Sequence, residues 1–199
     1  MLFLNISTDQ IYIQIEDEKI NLDRNNIEDI IGPTLTKLYR KYNFKKVFVL
    51  NGPGGFTNLR VGTLALNLLN SLENGKINIY SITKIDLFKY FVKNNELSSK
   101  GIIYIGQKKN VWLYDFDKGN YETVKKNEID YNKSLFFDLV YEKGYFEKDN
   151  IDIYTKNEKI IIKTNNKELS TAIEKLEIKP EKMIEPKYFI QPIMGKQGQ

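Results

Sequence analysis

The sequence predicts an α/β protein, and three patterns of apolar residues lead to that class. The chain opens with short runs in which apolar and polar residues alternate, as in a meander of β-strands. A continuous apolar run at residues 46–50 then leads through a glycine- and proline-rich turn into a long apolar stretch with helical spacing. After a polar stretch at residues 94–100, a second series of strand-like runs begins.

Length and composition allow one domain or two small ones. The 199 residues are 41% hydrophobic and 13% aromatic, which is enough for a hydrophobic core. The net charge is +4, and the lysines are scattered among acidic residues, so direct nucleic-acid binding is allowed but not demanded. Because no apolar run approaches membrane-spanning length and the start lacks a signal-peptide pattern, we expect a cytoplasmic protein.

Two residue types that carry much enzyme chemistry are absent. The chain has no cysteine and no histidine, which excludes disulfides, thiolate metal sites and any mechanism in which this chain supplies an imidazole. Catalysis by the chain alone would have to use carboxylates, lysines, tyrosines or bound magnesium.

The first half is predicted to alternate strands and helices. Strands are expected at residues 2–6, 11–15, 19–22, 46–50 and 76–80. A helix at about 26–42 has Asn25 or Asn26 as its cap, and Pro33 should kink or loosen it. A second helix covers 59–72, and a third runs from a Thr83 cap to about residue 94.

The second half is predicted to be mostly strands. They are expected at residues 101–105, 111–116, 121–124, 134–140, 151–154 and 159–163, with one helix at 167–176. Trp112, Tyr114 and Phe116 alternate on one strand face, which is more often one side of a core than a platform for RNA bases. The lysine pairs at 45–46, 108–109 and 125–126 are interpreted as solvated turns, and the charged loop at 141–150 has no assignable chemistry.

The turn after the strand at 46–50 is the most informative stretch. Gly52, Pro53, Gly54 and Gly55 break regular structure, and Thr57 is a candidate cap for the following helix. A strand, a glycine turn and a helix start can also hold a phosphate, but the turn lacks the Gly-Lys-Ser/Thr ending of a P-loop. A tight turn is therefore favoured over an anion site. Arg60 is interpreted as a structural ion pair or a backbone contact rather than an anion clamp.

These residues carry a resemblance to a known family. The run Gly52-Pro53-Gly54-x-Phe56-Thr57-x-Leu59-Arg60-x-Gly62 resembles the signature Gly-Pro-Gly-Ser-Phe-Thr-Gly-Leu-Arg-Ile-Gly of the TsaB (YeaZ-like) family. Gly55 replaces the Ser of that signature and Asn58 its Gly. Pro33 and the ending Pro186-Lys187-Tyr188 also resemble TsaB chains, with Ile190 where an Arg would stand. The resemblance is strong in the glycine segment and thin in the second half.

The resemblance implies a fold, a role and partners. The fold would be a duplicated actin-like (ribonuclease H-like) α/β fold with a reduced second half, divided into subdomains at 1–95 and 96–199. The role would be that of a non-catalytic subunit without cofactor or metal. Such a subunit binds a TsaD-like catalytic paralogue that transfers threonylcarbamoyl to adenosine in tRNA. A TsaE-like ATPase and tRNA would be reached through the complex, and the chain alone could form a homodimer.

The predicted contact with the partner lies on the first two helices. Residues 59–72 have more apolar circumference than one sheet face can cover, and exposed apolar stripes mark interfaces. We expect the following residues near that contact: Pro33, Leu59, Thr63, Leu66, Asn67 and Asn70.

Three other functions remain open on the sequence. An active ATP-dependent small-molecule kinase or ATPase of the actin-like class is the main alternative. It would need an acidic residue closing the first strand, where this chain has Asn5 followed by Ser7 and Thr8. A metal-dependent peptidase or transferase would need paired histidines. A direct RNA-binding module would bind tRNA with a steep salt dependence.

Overall fold

The computed structural model describes residues 1–107, 109–130, 135–138, 151–164 and 167–189. Strands and helices alternate in the first half and strands dominate the second, so the mixed α/β class is confirmed. The first strands are β1 Leu2–Asn5, β2 Ile11–Ile15, β3 Glu18–Leu22, β4 Lys46–Leu50 and β5 Asn78–Ile82. The later strands are β6 Lys100–Ile103, β7 Asn110–Asp115, β8 Asn120–Lys125, β9 Phe136–Asp138, β10 Asp152–Lys156, β11 Lys159–Lys163 and β12 Glu168–Ala172. The described α-helices are α1 Ile27–Tyr42, α2 Phe56–Leu72 and α3 Lys84–Lys93.

A five-stranded sheet with order β3-β2-β1-β4-β5 forms the centre of the first half. Strands β1, β4 and β5 are parallel, whereas β1, β2 and β3 form an antiparallel meander. Leu2 and Leu4 belong to the core cluster under α1 and α2, and Phe3 belongs to the cluster that includes α3 and the second half. Because both faces are covered, β4 is an apolar run, as the sequence predicted.

The described residues of the second half form two sheets. In the first, β6, β7 and β8 form an antiparallel meander and β9 lies parallel to β6, giving the order β8-β7-β6-β9. This is the arrangement that β3-β2-β1-β4 has in the five-stranded sheet. The second sheet is an antiparallel meander of β10, β11 and β12. Lys108, residues 141–150 and Ile190 were part of the sequence predictions and lie outside the described residues, as does part of the strand predicted at 134–140.

The helices of the first half begin close to their predicted positions. α1 starts after Asn26, which has a left-handed conformation and makes no side-chain cap hydrogen bond, and the helix continues through Pro33. α3 begins at the predicted cap, since the Thr83 hydroxyl oxygen accepts a hydrogen bond from the Asp86 amide. Within the described ranges, no helix combines the length and apolarity that crossing a membrane requires.

Two local predictions are wrong. Thr57 does not cap α2, because the helix already begins at Phe56 and the Gly55 carbonyl accepts the Leu59 amide at 3.0 Å. The predicted helix at 167–176 is strand β12 followed by a 3-10 helix, Ile173–Leu176. Backbone pairing of β12 with β11 outweighs the local helical spacing there.

Candidate interaction site at the glycine turn and helix α2

The loop after β1 is tied to the glycine turn by its own polar groups. Asn5 Oδ1 accepts the Ser7 amide at 3.0 Å. Ser7 Oγ donates to the Leu50 carbonyl at 2.9 Å and accepts the Gly52 amide at 2.6 Å. Ser7 is fully buried, so its hydroxyl group is occupied inside the protein. These hydrogen bonds attach the loop after β1 to the glycine turn.

The glycines of the turn allow close packing of three chain segments. A Cβ at Gly54 would lie 2.6 Å from the Cα and carbonyl oxygen of Ser7. Gly52 has φ +85°, and a Cβ there would overlap the carbonyl oxygen of Lys187. A Cβ at Gly106 would in turn overlap the backbone of Gly54. These contacts support the tight-turn interpretation, because the space beside the turn is filled by the chain itself.

Asn58, which departs from the family signature, has a structural task. Its Nδ2 donates to the carbonyl oxygens of Thr8 and Asp9, both at 2.9 Å, and the residue is buried. The loop after β1 is thus held from α2 as well as from β4. A glycine at position 58 could not make these contacts.

A buried ion pair lies behind the turn. Lys84, the first residue of α3, donates to Asp138 Oδ2 at 2.5 Å and to the Tyr104 carbonyl at 3.2 Å. Burial lowers the pKa of Lys84 and raises the pKa of Asp138, and each charge opposes the effect on the other. Both side chains are almost completely buried, with 0% and 1% exposure, and Asp138 lies at the wall of a neighbouring cleft. Sequence reasoning could not identify this ion pair, because the two residues are far apart in a chain with many lysines and aspartates.

A cleft of about 1220 Å³ lies between the β2–β3 hairpin and β10. Gln14 closes one part of it, since its side chain donates to the Thr155 carbonyl at 3.0 Å and accepts the Thr155 amide at 3.3 Å. Among the described residues, the charged ones lining the cleft are Glu16, Asp17, Asp138, Asp152, Glu158, Glu168, Lys19, Lys156 and Lys163. Carboxylates outnumber lysines, which disfavours a polyphosphate ligand. No group of three or more potential metal-binding side chains occurs in the described part of the chain.

One row of α2 is exposed along its whole length. Every fourth residue from Phe56 to Leu72 belongs to it, and we call this row the α2 ridge: Phe56, Arg60, Leu64, Leu68 and Leu72. Leu64, Leu68 and Leu72 are 65%, 57% and 70% exposed, which is unusual for leucines on one continuous row.

Most of the predicted contact residues lie on the other side of α2. Leu59, Thr63, Leu66 and Asn70 are buried within the chain itself, so their side chains are not exposed for the predicted contact in the isolated chain. Asn67 is half-buried and binds the backbone of Ile184. Pro33 is exposed on α1. The helix is apolar on both sides, and apolar spacing alone could not tell which side faces the sheet.

The motif residues of α2 have structural contacts. Arg60 pairs with Glu28 of α1 at 3.7 Å and lies over the Phe56 ring at 5.5 Å, which agrees with the predicted structural ion pair. A Cβ at Gly62 would overlap the side chain of Ile6, so this glycine brings α2 close to β1. The signature thus serves the packing of α2, the turn and the first strand.

The aromatic residues of β7 belong to the hydrophobic core. Trp112 and Phe116 are buried in the cluster that joins the two halves, and Tyr114 packs against it. Trp112 stacks on Tyr121 of β8 with ring centroids 3.9 Å apart. The interpretation as one side of a core is confirmed.

Comparisons with known proteins include remote likenesses to solved structures. No family model and no curated protein matches the sequence. The fold is similar to "YeaZ from Pseudomonas aeruginosa", with a TM-score of 0.37, 14% identity, and 63% of this chain and 64% of that chain covered. It is also similar to an uncharacterized protein with similarity to peptidase YEAZ from Pseudomonas aeruginosa, with a TM-score of 0.39, 13% identity, and coverage of 68% and 73%. This chain thus spans about 64% of the YeaZ length.

Proposed function

We propose that the chain is a non-catalytic TsaB-like subunit that binds a TsaD-like catalytic paralogue through the α2 ridge. The ridge is the observation that carries this proposal. It begins within the glycine signature, at Phe56, and leaves three leucines in water for the length of the helix. A contiguous apolar row of this kind, rimmed by polar residues, is typical of a protein–protein contact.

The duplicated actin-like fold is part of the same proposal. The order β8-β7-β6-β9 repeats the order β3-β2-β1-β4, including the parallel pairing of the last strand with the first. Two copies of one topology in a single chain support an origin by duplication, with subdomains at 1–95 and 96–199.

A non-catalytic role fits the polar groups near the first strand. Ser7 and Asn5 use their side chains to hold the glycine turn, and the adjoining cleft is lined mainly by carboxylates. The alternative function, an active kinase or ATPase of the actin-like class, needs groups that hold magnesium and phosphate at this position. In the proposed complex, a TsaE-like ATPase and tRNA act through the catalytic partner. The α2 ridge also allows a homodimer when that partner is absent.

The test is co-purification with a TsaD-like protein from the source cell. The wild-type chain should co-purify with that protein. The double variant Leu64→Asp/Leu68→Asp should not, because it would place two carboxylates in an apolar contact. Tyr121→Asp is the control, since Tyr121 is also an exposed large apolar residue but lies on β8. Unchanged retention by the folded double variant would refute the ridge as the contact. Calorimetry with magnesium ATP tests the alternative, which requires saturable binding.

A further inference from the structure

Residues 181–189 run along α2 and β5, with an isolated bridge at 181 and bends at 182–183. Strand β5 is at the edge of the five-stranded sheet, and its open side is met by Glu181. The Ile79 amide donates to the Glu181 carbonyl at 3.0 Å, and the Glu181 amide donates to the Ile79 carbonyl at 2.8 Å. The segment then leaves the strand edge and follows the helix toward the glycine turn.

Three asparagine side chains bind the backbone of this segment. Asn67 accepts the Ile184 amide at 3.0 Å and donates to the Ile184 carbonyl at 2.8 Å. Asn70 donates to the Lys182 carbonyl at 2.7 Å. Asn51 donates to the Glu185 carbonyl at 2.7 Å and accepts the Lys187 amide at 3.2 Å. Asparagine amides paired with peptide groups recognise an extended backbone whatever side chains it carries.

Some side chains of the segment contact the rest of the chain. Ile184 is 3% exposed and belongs to the core cluster under α1 and α2. Tyr188 stacks on Phe56 with centroids 4.8 Å apart. Met183, next to the anchor Ile184, is 66% exposed.

Lys182 Nζ donates to the Gly75 carbonyl and to Asn78 Oδ1, both at 2.8 Å, and the Phe189 ring centroid lies 6.0 Å from that of Trp112. Several side chains of the segment therefore add to its backbone contacts.

The surface that receives the segment is held in place by contacts of its own. Asn51 and Asn70 are buried, and Asn70 also makes two hydrogen bonds to the backbone of Ile77, at 2.9 and 3.0 Å. The missing side chain at Gly52 leaves room for the Lys187 carbonyl. We call this surface the asparagine groove: Asn51, Gly52, Phe56, Asn67, Asn70 and Ile79.

We propose that the asparagine groove is a recognition site for a peptide segment, which this chain fills with its own residues 181–189 and which the same segment of a second copy can fill instead. A bridge to the edge strand β5 at Glu181 and side-chain hydrogen bonds to the peptide backbone carry this recognition, with Ile184 and Tyr188 as anchors. The segment follows the 3-10 helix Ile173–Leu176, and Glu177 changes the chain direction with φ +54°. A short connection of this kind allows the exchange of the segment between identical chains.

The resident segment competes with any segment in trans. A short linker holds it at an effective concentration on the order of 1 mM, so an added peptide at micromolar concentration cannot displace it. A substitution confined to the segment releases this competitor and leaves the groove intact. Peptide binding to the empty groove can then be measured in the full chain.

The experiment uses a fluorescein-labelled peptide of residues 180–189 and full-length protein variants. Ile184→Asp places a charge on the buried anchor and should release the segment, so this variant should bind the peptide saturably. Wild type and the control Met183→Asp should bind it about tenfold more weakly or not at all, because their grooves are filled. A peptide carrying Ile184→Asp should not bind any of the three proteins.

Two outcomes would overturn the proposal. One is a folded Ile184→Asp variant that does not bind the peptide, and the other is equal binding by Ile184→Asp and wild type. If circular dichroism shows that the Ile184→Asp variant is unfolded, the milder double variant Ile184→Ala/Tyr188→Ala replaces it, with the same expected results.

Exchange between copies is tested with complementary variants. In the Ile184→Asp variant the groove is intact, but the segment cannot occupy it. In the Asn67→Ala variant the segment is intact, but the groove lacks two of its hydrogen bonds. A mixture of the two, with a donor dye on one and an acceptor on the other, should show energy transfer that neither variant shows with itself. The unlabelled wild-type peptide should abolish it, and an absence of transfer in the mixture would refute exchange.

Discussion

Lys84 and Asp138 form an ion pair that the fold encloses, with Lys84 Nζ 2.5 Å from Asp138 Oδ2 and neither side chain in contact with solvent. The pair joins the first residue of α3 to the last residue of β9, and it therefore connects the two halves of the chain. Removing two charges from water is costly, and their mutual attraction offsets that cost only while both are present. The pair should consequently behave as a unit.

Lys84→Met is expected to destabilise the protein by about 3–5 kcal/mol, because it leaves the Asp138 carboxylate buried without a counter-charge. The measurement is urea-induced unfolding followed by circular dichroism, with a constant slope showing that both proteins unfold in the same way. Lys84→Met/Asp138→Leu is the matched control and should recover most of the loss. A single variant as stable as wild type would contradict the enclosed pair.

The two sides of α2 should differ in their response to the same substitution. Leu66 is fully buried and Leu64 is 65% exposed, although both are leucines of one helix. Leu66→Ala should lower the free energy of unfolding by about 2–5 kcal/mol, because it leaves a cavity under the helix. Leu64→Ala should change it by less than about 0.5 kcal/mol. Similar losses in both variants would mean that the ridge is covered in the isolated protein.

The sequence was sufficient where local chemistry decides the structure. The apolar run of β4, the glycine turn and the Thr83 cap all have short-range causes, and their positions are found within a few residues. The tight-turn interpretation also has a local origin, since glycines without a P-loop ending indicate geometry rather than phosphate.

The sequence was insufficient where distant segments decide. Helical spacing at 167–176 could not reveal that β11 offers an open edge for pairing. The sequence predicts Asn67 and Asn70 of α2 near a partner contact, whereas their side chains bind a segment more than 100 positions further along the chain. Asparagine is abundant in this sequence, so its placement carried little information before the backbone partners were known.

Glu18 should lose stabilising interactions on acidification. Hydrogen bonds from Lys41 and Tyr42 lower the pKa of Glu18 below its ordinary value of 4.5. A carboxyl group whose pKa is lowered by folding stabilises the protein above the unfolded-state pKa, and this contribution disappears as the pH falls through the folded-state pKa. The difference in Tm between wild type and Glu18→Gln should therefore be present at pH 7 and shrink below pH 4.5.

The Glu18 carboxyl carbon provides a direct measurement of the same effect. Its NMR titration midpoint should lie below 4.5 in wild type and return toward 4.5 in Lys41→Met, because the largest contribution comes from the Lys41 hydrogen bond. Lys37→Met is the control, since Lys37 acts on Glu18 only through a weak long-range charge. An equal midpoint in wild type and Lys41→Met would contradict the 2.7 Å contact.

Neighbouring glycines of the turn should respond in opposite directions. Gly54 lies against the backbone of Ser7, which cannot move aside like a flexible side chain, so Gly54→Ala should destabilise the protein by more than about 1 kcal/mol. Gly55 has nothing within 4 Å of its Cβ position and is the N-cap of α2. Gly55→Ser should be neutral or stabilising by a few tenths of a kcal/mol, because a serine hydroxyl can accept an amide hydrogen bond from the first turn. Thermal unfolding of both variants beside wild type gives the comparison. Tolerance of Gly54→Ala would show that the loop after β1 does not pack on the turn, and the structural explanation of the glycine motif would then fail.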